Sequence, residues 1–129
     1  MIVDEASDAV RAQMTATTDC KGWKIPRRSL TAAIMQDHGI DPADAQVVRY
    51  GQGGSYDWHT DGGHRAETVV VQLTAPAEYE GGDLEVMGWG TAPRTQGEIT
   101  RFSAQARHKA HEVTKGERWA LVGWVPVGL

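Results

Sequence analysis

The sequence predicts a mainly β protein with N-terminal helices, arranged as an antiparallel sandwich or barrel, and three observations predict it. After Asp41-Pro42 the chain becomes a series of short runs rich in β-branched and aromatic residues, most of them separated by Gly or Pro. No segment of helical period falls between those runs, which removes the crossovers that parallel strands need. Helical spacing is confined to the first third.

Two helices are predicted there. Asp4 to Met14 carries apolar positions at Val3, Ala6, Val10 and Met14, and Ser29 to His38 is followed by Gly39, a residue suited to the left-handed position that ends a helix. Seven strands follow: Val47 to Tyr50, Ser55 to His59, Thr68 to Leu73, Asp83 to Met87, Glu98 to Ser103, His108 to Val113, and Arg118 to Val125. The early helices pack on one outer face, and the interior is where a ligand sits. With 129 residues the chain forms one domain, with helical support over about 1–45 and a β core over about 46–129.

Composition narrows the function. Thirteen Lys+Arg against seventeen Asp+Glu leave a formal net charge of −4, which disfavours a general grip on nucleic acid or anionic lipid. The single cysteine, Cys20, excludes an intramolecular disulfide and Cys-rich zinc modules and suits a reducing compartment. The first residues are acidic where a secretory leader is basic, and no stretch approaches the roughly 20 apolar residues that cross a bilayer, so a cytoplasmic protein without a membrane span is expected.

Chemistry first shows at Tyr56-Asp57-Trp58-His59-Thr60-Asp61. On an extended chain residues i and i+2 project to the same face, so His59 and Asp61 can share one ion. A surface His beside a turn Asp gives the same pattern, and a third ligand decides between the two readings. His108 and His111 are the candidates. Two His and one carboxylate form the facial triad of non-haem Fe(II) oxygenases, with zinc as the competing metal.

Hairpin geometry favours His108. Thr114-Lys115-Gly116, with Gly last, suits a three-residue turn of type I with a bulge, which sets Val113 opposite Glu117. His108 then shares a face with Arg118, Ala120, Val122 and Trp124, and His111 points away. A two-residue turn reverses the assignment, so spacing leaves both histidines open. Arg118 opens an otherwise apolar strand, where its guanidinium can hold a carboxylate in a bidentate fork; the alternative is a solvated pair with Glu117 or Glu112.

Three blocks resemble the iron(II) and 2-oxoglutarate-dependent dioxygenases, specifically the prolyl 4-hydroxylase-like branch with its compact bacterial and phage members. Val47 to Asp61 is similar to the family signature through Tyr50, Gly53, Tyr56, His59 and Asp61. Val69 to Val86 is similar to a family strand, an acidic Tyr-x-Gly-Gly turn and the strand after it. The third block runs from Phe102 through His108 and Val113-Thr114-Lys115-Gly116-Glu117-Arg118 to Trp124. His108 meets the family spacing from both Phe102 and Arg118; His111 meets neither.

The resemblance implies a double-stranded β-helix, or jelly roll, with Fe(II) held by His59, Asp61 and His108. It implies that Arg118 takes the distal carboxylate of 2-oxoglutarate, that Tyr50 hydrogen-bonds this cosubstrate, and that Gln72 stands where some relatives also contact it. Tyr56 and Trp124 look like residues that face substrate in relatives. Strand parity turns Tyr56 away from His59 unless a bulge near Gly53-Gly54-Ser55 or a bend intervenes. Trp58, Trp89 and Trp119 are expected to be packing residues.

The implied activity is hydroxylation of a C–H bond with O2, with release of succinate and CO2 and with ascorbate as an optional reductant. A prolyl residue in a peptide or protein is the leading substrate, and a free amino acid or other small molecule is the alternative. The nucleic-acid demethylase branch carries a second Arg six residues after the first, where this sequence has Trp124, so no nucleic acid is expected. The other classes to weigh are a non-catalytic metal-binding jelly-roll module and a zinc hydrolase. The oligomeric state is open, and a dimer or partner would cover an exposed sheet face.

Overall fold

A computed structural model of the chain describes residues 20–25 and 30–127. β1 (Cys20–Lys24) and α1 (Leu30–Asp37) precede a 3-10 turn (Pro42–Asp44) and β2 (Ala45–Tyr50). Then come β3 (Tyr56–His59), β4 (Arg65–Gln72), β5 (Tyr79–Gly81), β6 (Leu84–Val86), β7 (Gly90–Thr91), β8 (Ile99–Ser103), β9 (His108–Ala110), β10 (Val113–Gly116) and β11 (Arg118–Pro126). All the pairings are antiparallel. The major sheet has the order β1-β2-β11-β4-β8, the minor sheet the order β3-β9-β6-β7, and β10 pairs with β5 as a two-stranded ribbon. No helix among the described residues is long and apolar enough to cross a membrane.

Period-two alternation builds two buried layers from one major sheet. In β11, Trp119 and Leu121 join Met35, Ile40, Val47, Val69 and Val71 in a core between the sheet and α1. The intervening positions of the same strands, Ala120 and Val70, pack with Leu84, Val86 and Phe102 on the side of the minor sheet. A strand buried on both faces reads as a near-continuous apolar run, which accounts for Trp119 to Val125 in β11. Each aliphatic side chain fully buried in this way contributes about 1.5–3 kcal/mol.

Gly39 ends α1 at φ 77°: its N–H bonds the Gln36 carbonyl and the Ile40 N–H bonds that of Met35. These are the two bonds of a Schellman cap. The cap drops Ile40, 1% exposed, onto the sheet at Gly123, where a Cβ would stand 2.8 Å from Ile40 Cγ2 and 3.0 Å from Met35 Sδ. Helix and sheet thus approach to a distance that only glycine permits.

Four expectations are corrected or fall outside the described residues. The N-terminal third is not purely helical, because Cys20–Lys24 is an edge strand paired with β2. The helix expected over Asp4 to Met14 lies outside the described residues. The hairpin expected across Thr114-Lys115-Gly116 does not form: β10 pairs with β5 and β11 with β2 and β4. The run His108 to Val113 divides because the chain leaves the minor sheet after Ala110. The His111 N–H then bonds the Asp83 carbonyl, and the Gly82 N–H bonds that of Glu112. Gly81 is at φ 74° and so close to this crossing that a Cβ would lie 2.3 Å from the Glu112 oxygen, so the Gly-Gly turn steers the chain from one sheet to the other.

Candidate metal centre

His59 closes β3 and His108 opens β9, and the two are directly paired in the strand register. That pairing sets their rings side by side, with centroids 4.2 Å apart. Asp61 follows two residues after His59, held by its N–H to the Ala104 carbonyl at 2.9 Å. One ligand atom from each of His59, Asp61 and His108 lies within 4.8 Å of the other two.

The tautomers are fixed by backbone. His59 Nδ1 lies 2.6 Å from the Asp57 carbonyl and His108 Nδ1 2.9 Å from that of Ala106. A carbonyl only accepts, so both Nδ1 atoms carry a proton and, in the neutral rings, each Nε2 is the nitrogen left to ligate. The Nε2 atoms converge on Asp61: His59 Nε2 is 3.6 Å from Oδ1 and His108 Nε2 3.3 Å from Oδ2. Carbonyl-oriented imidazoles converging with a carboxylate are what a facial metal site requires.

Burial pushes the Asp61 carboxyl pKa up, but hydrogen bonds from His108, Thr68 and Trp124 and the nearby His108 charge outweigh it and hold the group at about 2. Burial pushes His108 down, and its contacts with Asp61 and the Ala106 carbonyl more than offset that, so its pKa is raised. The metal-free pair therefore favours the ion pair, and a metal has to displace the His108 proton.

Arg118 is 5% exposed and lines the same cavity. Its Nε donates to Gln72 Oε1 at 3.0 Å, and its Cζ lies 5.4 Å from the centre of the Tyr50 ring. Gln72 in turn donates through Nε2 to the Thr74 carbonyl and to Tyr79 Oη, both at 2.9 Å. Both N–H donors of the Gln72 amide are thus taken by protein and its oxygen accepts from Arg118, which makes it a bracket for Arg118. Among the described residues no carboxylate pairs with Arg118. Glu117, the expected alternative partner, bonds Arg49 Nε at 2.7 Å and Trp119 Nε1 at 3.0 Å. With Nε engaged, both Nη groups remain for an anion.

A cavity of about 610 Å³ joins these groups, walled by Val48, Val70, Ala120 and Val122 and lined also by Tyr56. The parity objection to Tyr56 is met by a register shift between Tyr56 and His59 in the β3–β9 pairing, rather than at Gly53-Gly54-Ser55. Tyr56 consequently lies against His59, ring centroids 4.0 Å apart, and is half exposed. Trp124 lines the cavity too, with its Nε1 bonded to Asp61 Oδ2 at 3.1 Å and Arg65 Cζ 3.6 Å from the centre of its ring. His111 lies outside the group, bonded to Glu85 at 2.8 Å. Trp119 is core, whereas Trp89 is 59% exposed and the packing expectation fails there. Thr68 and Tyr79 escaped the sequence reading. The signal for Thr68 is its parity with Val70 and Gln72 on the buried half of β4.

The residues fit a divalent metal and a dicarboxylate. Two imidazole nitrogens and a carboxylate suit a divalent first-row metal, and a buried guanidinium without an acidic partner among the described residues suits a dicarboxylate that reaches from the metal.

Comparison with known proteins agrees. Residues 45–126 match the model of the 2OG-Fe(II) oxygenase superfamily. A PKHD-type hydroxylase of Picosynechococcus sp. is 34% identical over 110 residues, covering 77% of this chain and 50% of that protein. The chain spans about half the length of the curated relatives it matches. Among solved structures, a Pseudomonas putida prolyl-4-hydroxylase superposes with a TM-score of 0.75 at 15% identity, over 99% of this chain and 87% of that one. The viral collagen prolyl hydroxylase of Paramecium Bursaria Chlorella virus-1, in complex with 2OG, gives 0.71 at 20% identity, over 98% and 91%. These likenesses show the fold, a double-stranded β-helix.

Proposed function

Since this chain belongs to the 2OG-Fe(II) oxygenase superfamily, we propose that it hydroxylates a C–H bond of a prolyl residue in a peptide or protein, with Fe(II) as cofactor and 2-oxoglutarate as cosubstrate. One observation carries the reading: the His59, Asp61 and His108 ligand atoms converge in the cavity that also holds Arg118, whose guanidinium has no carboxylate partner among the described residues. When bound, Fe(II) and 2-oxoglutarate supply with O2 the oxidising power for C–H cleavage, and succinate and CO2 leave.

The chain's own residues do the placing. His59, Asp61 and His108 present three donors from one side, with both imidazoles held by backbone carbonyls. Arg118 would take the distal carboxylate of 2-oxoglutarate in a charge-assisted fork, held by its bond to Gln72, and Tyr50 beside it would serve as a further hydrogen-bond donor. Val48, Val70, Ala120 and Val122 keep water from the reacting centre. Tyr56, half exposed beside His59, would face an entering prolyl ring. The link between Asp61 and β4 is only Gly62 to His64, so a peptide segment can reach the cavity without a long flap. The names of the relatives support a prolyl target, and a lone cysteine supports a cytoplasmic location.

The test is incubation with Fe(II), 2-oxoglutarate, O2 and ascorbate against proline-containing peptides and free amino acids. Succinate formation coupled to the gain of one oxygen atom on a peptidyl proline is expected. Oxygenation of a free amino acid alone would move the substrate class to small molecules. Absence of succinate with metal bound would leave the non-catalytic module.

A further inference from the structure

We propose that Thr68 and Trp124 are positioning residues for Asp61: together they close its Oδ2 and leave Oδ1 as the oxygen presented to the metal. The inference rests on the reading that His59, Asp61 and His108 hold Fe(II). Thr68 Oγ1 donates to Asp61 Oδ2 at 2.5 Å, and Trp124 Nε1 donates to the same oxygen at 3.1 Å. A carboxylate oxygen offers two lone-pair directions, and two donors fill them. His108 Nε2 is the third neighbour of Oδ2, at 3.3 Å, but once neutral it has no proton there to give. Oδ1 faces His59 Nε2 at 3.6 Å, and no donor among the described residues hydrogen-bonds it.

The two donors form one platform. Thr68 in β4 and Trp124 in β11 are direct partners in the strand register, at the centre of the major sheet, whereas Asp61 sits on the short link after β3. Thr68 is 1% exposed and Trp124 8% exposed, with the indole ring covered by Arg65. The rigid sheet therefore sets the carboxylate angle that the link alone leaves free. A carboxylate with one oxygen closed binds through the other, which conserves coordination positions for the cosubstrate keto acid and O2. Trp124 thereby acts through Asp61 rather than on substrate.

Co(II) binding to the metal-free protein tests this, because its dissociation constant and the intensity of its visible bands report ligand number without turnover. Thr68→Val keeps the shape and removes the hydroxyl, Thr68→Ser keeps the hydroxyl, and Trp124→Phe keeps an aromatic ring and removes the N–H. Val and Phe are each expected to weaken Co(II) binding about tenfold or more and to shift the bands towards a higher coordination number, while Ser stays close to wild type. Wild-type affinity and bands in both Thr68→Val and Trp124→Phe overturn the proposal, as does a Ser variant that behaves like Val. If Thr68→Val does not fold, Trp124→Phe and Thr68→Ser decide by the same criteria. A wild-type protein that fails to bind Co(II) or Fe(II) overturns the metal reading itself, a result distinct from unchanged variants of a metal-binding protein.

Discussion

Replacing Arg118 by Met separates a cosubstrate anchor from a structural cation, because the anchor predicts little change in the stability of the metal-free protein and the structural cation a marked fall. The variant loses the bond from Nε to Gln72, worth about 1.5–3 kcal/mol for a charged donor, and the contact with the Tyr50 ring, worth about 0.5–2 kcal/mol. Against these stands relief of a cation that is 5% exposed and lacks an acidic partner among the described residues, whose desolvation costs several kcal/mol. The terms nearly cancel. The melting temperature of the metal-free variant should stay within about 8 °C of wild type, since 1 kcal/mol shifts a domain of this size by about 4 °C. Affinity for 2-oxoglutarate should collapse, because removing one partner of a buried charge pair costs about 2–5 kcal/mol, or about thirtyfold to several-thousandfold in Kd. Thermal melts followed by circular dichroism and calorimetric titration of 2-oxoglutarate into the Fe(II)-loaded protein under argon supply both numbers. A larger fall in melting temperature with 2-oxoglutarate affinity retained would refute the reasoning and make Arg118 a structural residue.

Gly123→Ala should destabilise the fold by about 1–3 kcal/mol in urea denaturation, since its methyl would press on Ile40 and Met35; an unchanged midpoint would mean the helix retreats freely. Metal affinity should fall as pH drops through the raised His108 pKa, beginning above 6.5, because the protonated imidazole cannot ligate; affinity that is level from pH 8 to pH 6 would contradict this. In the metal-free protein the signs run differently. The His108 contribution to stability is fully present below 6.5 and lost as pH rises through its raised pKa, while the Asp61 contribution is present above 3.8 and lost as pH falls towards about 2. Urea midpoints across pH should therefore peak between those limits, and a monotonic rise into alkali would contradict the pairing.

Much of this architecture is legible in local patterns. The alternation in β2, β4 and β11 fixes which residues face the cavity, and Gly39 announces the end of α1. His59 and Asp61 are readable as a pair because their spacing is local. His108 was harder. The parity argument that selected it assumed a hairpin to β11 that does not exist, and the imidazole reaches the site because β9 pairs with β3. That pairing is non-local and leaves no trace in spacing; only the family resemblance carried it. Tyr56 shows the same limit, since its position depends on a register shift that no turn residue marks. Cys20–Lys24, β5 and β7 were missed because short edge strands depend on the neighbour that receives their hydrogen bonds rather than on their own propensity. The Gln72 bracket and the Thr68 hydroxyl escaped because both act across strands on side chains far away in the chain.

The claim beneath the whole account is that His59, Asp61 and His108 hold Fe(II) where 2-oxoglutarate can join it. Anaerobic addition of Fe(II) and then 2-oxoglutarate tests it directly by the weak visible charge-transfer band of the chelate. The account predicts the band in the wild type and in His111→Ala, and its loss in His108→Ala. A band that survives His108→Ala and disappears in His111→Ala, or no band in the folded wild-type protein, would contradict it.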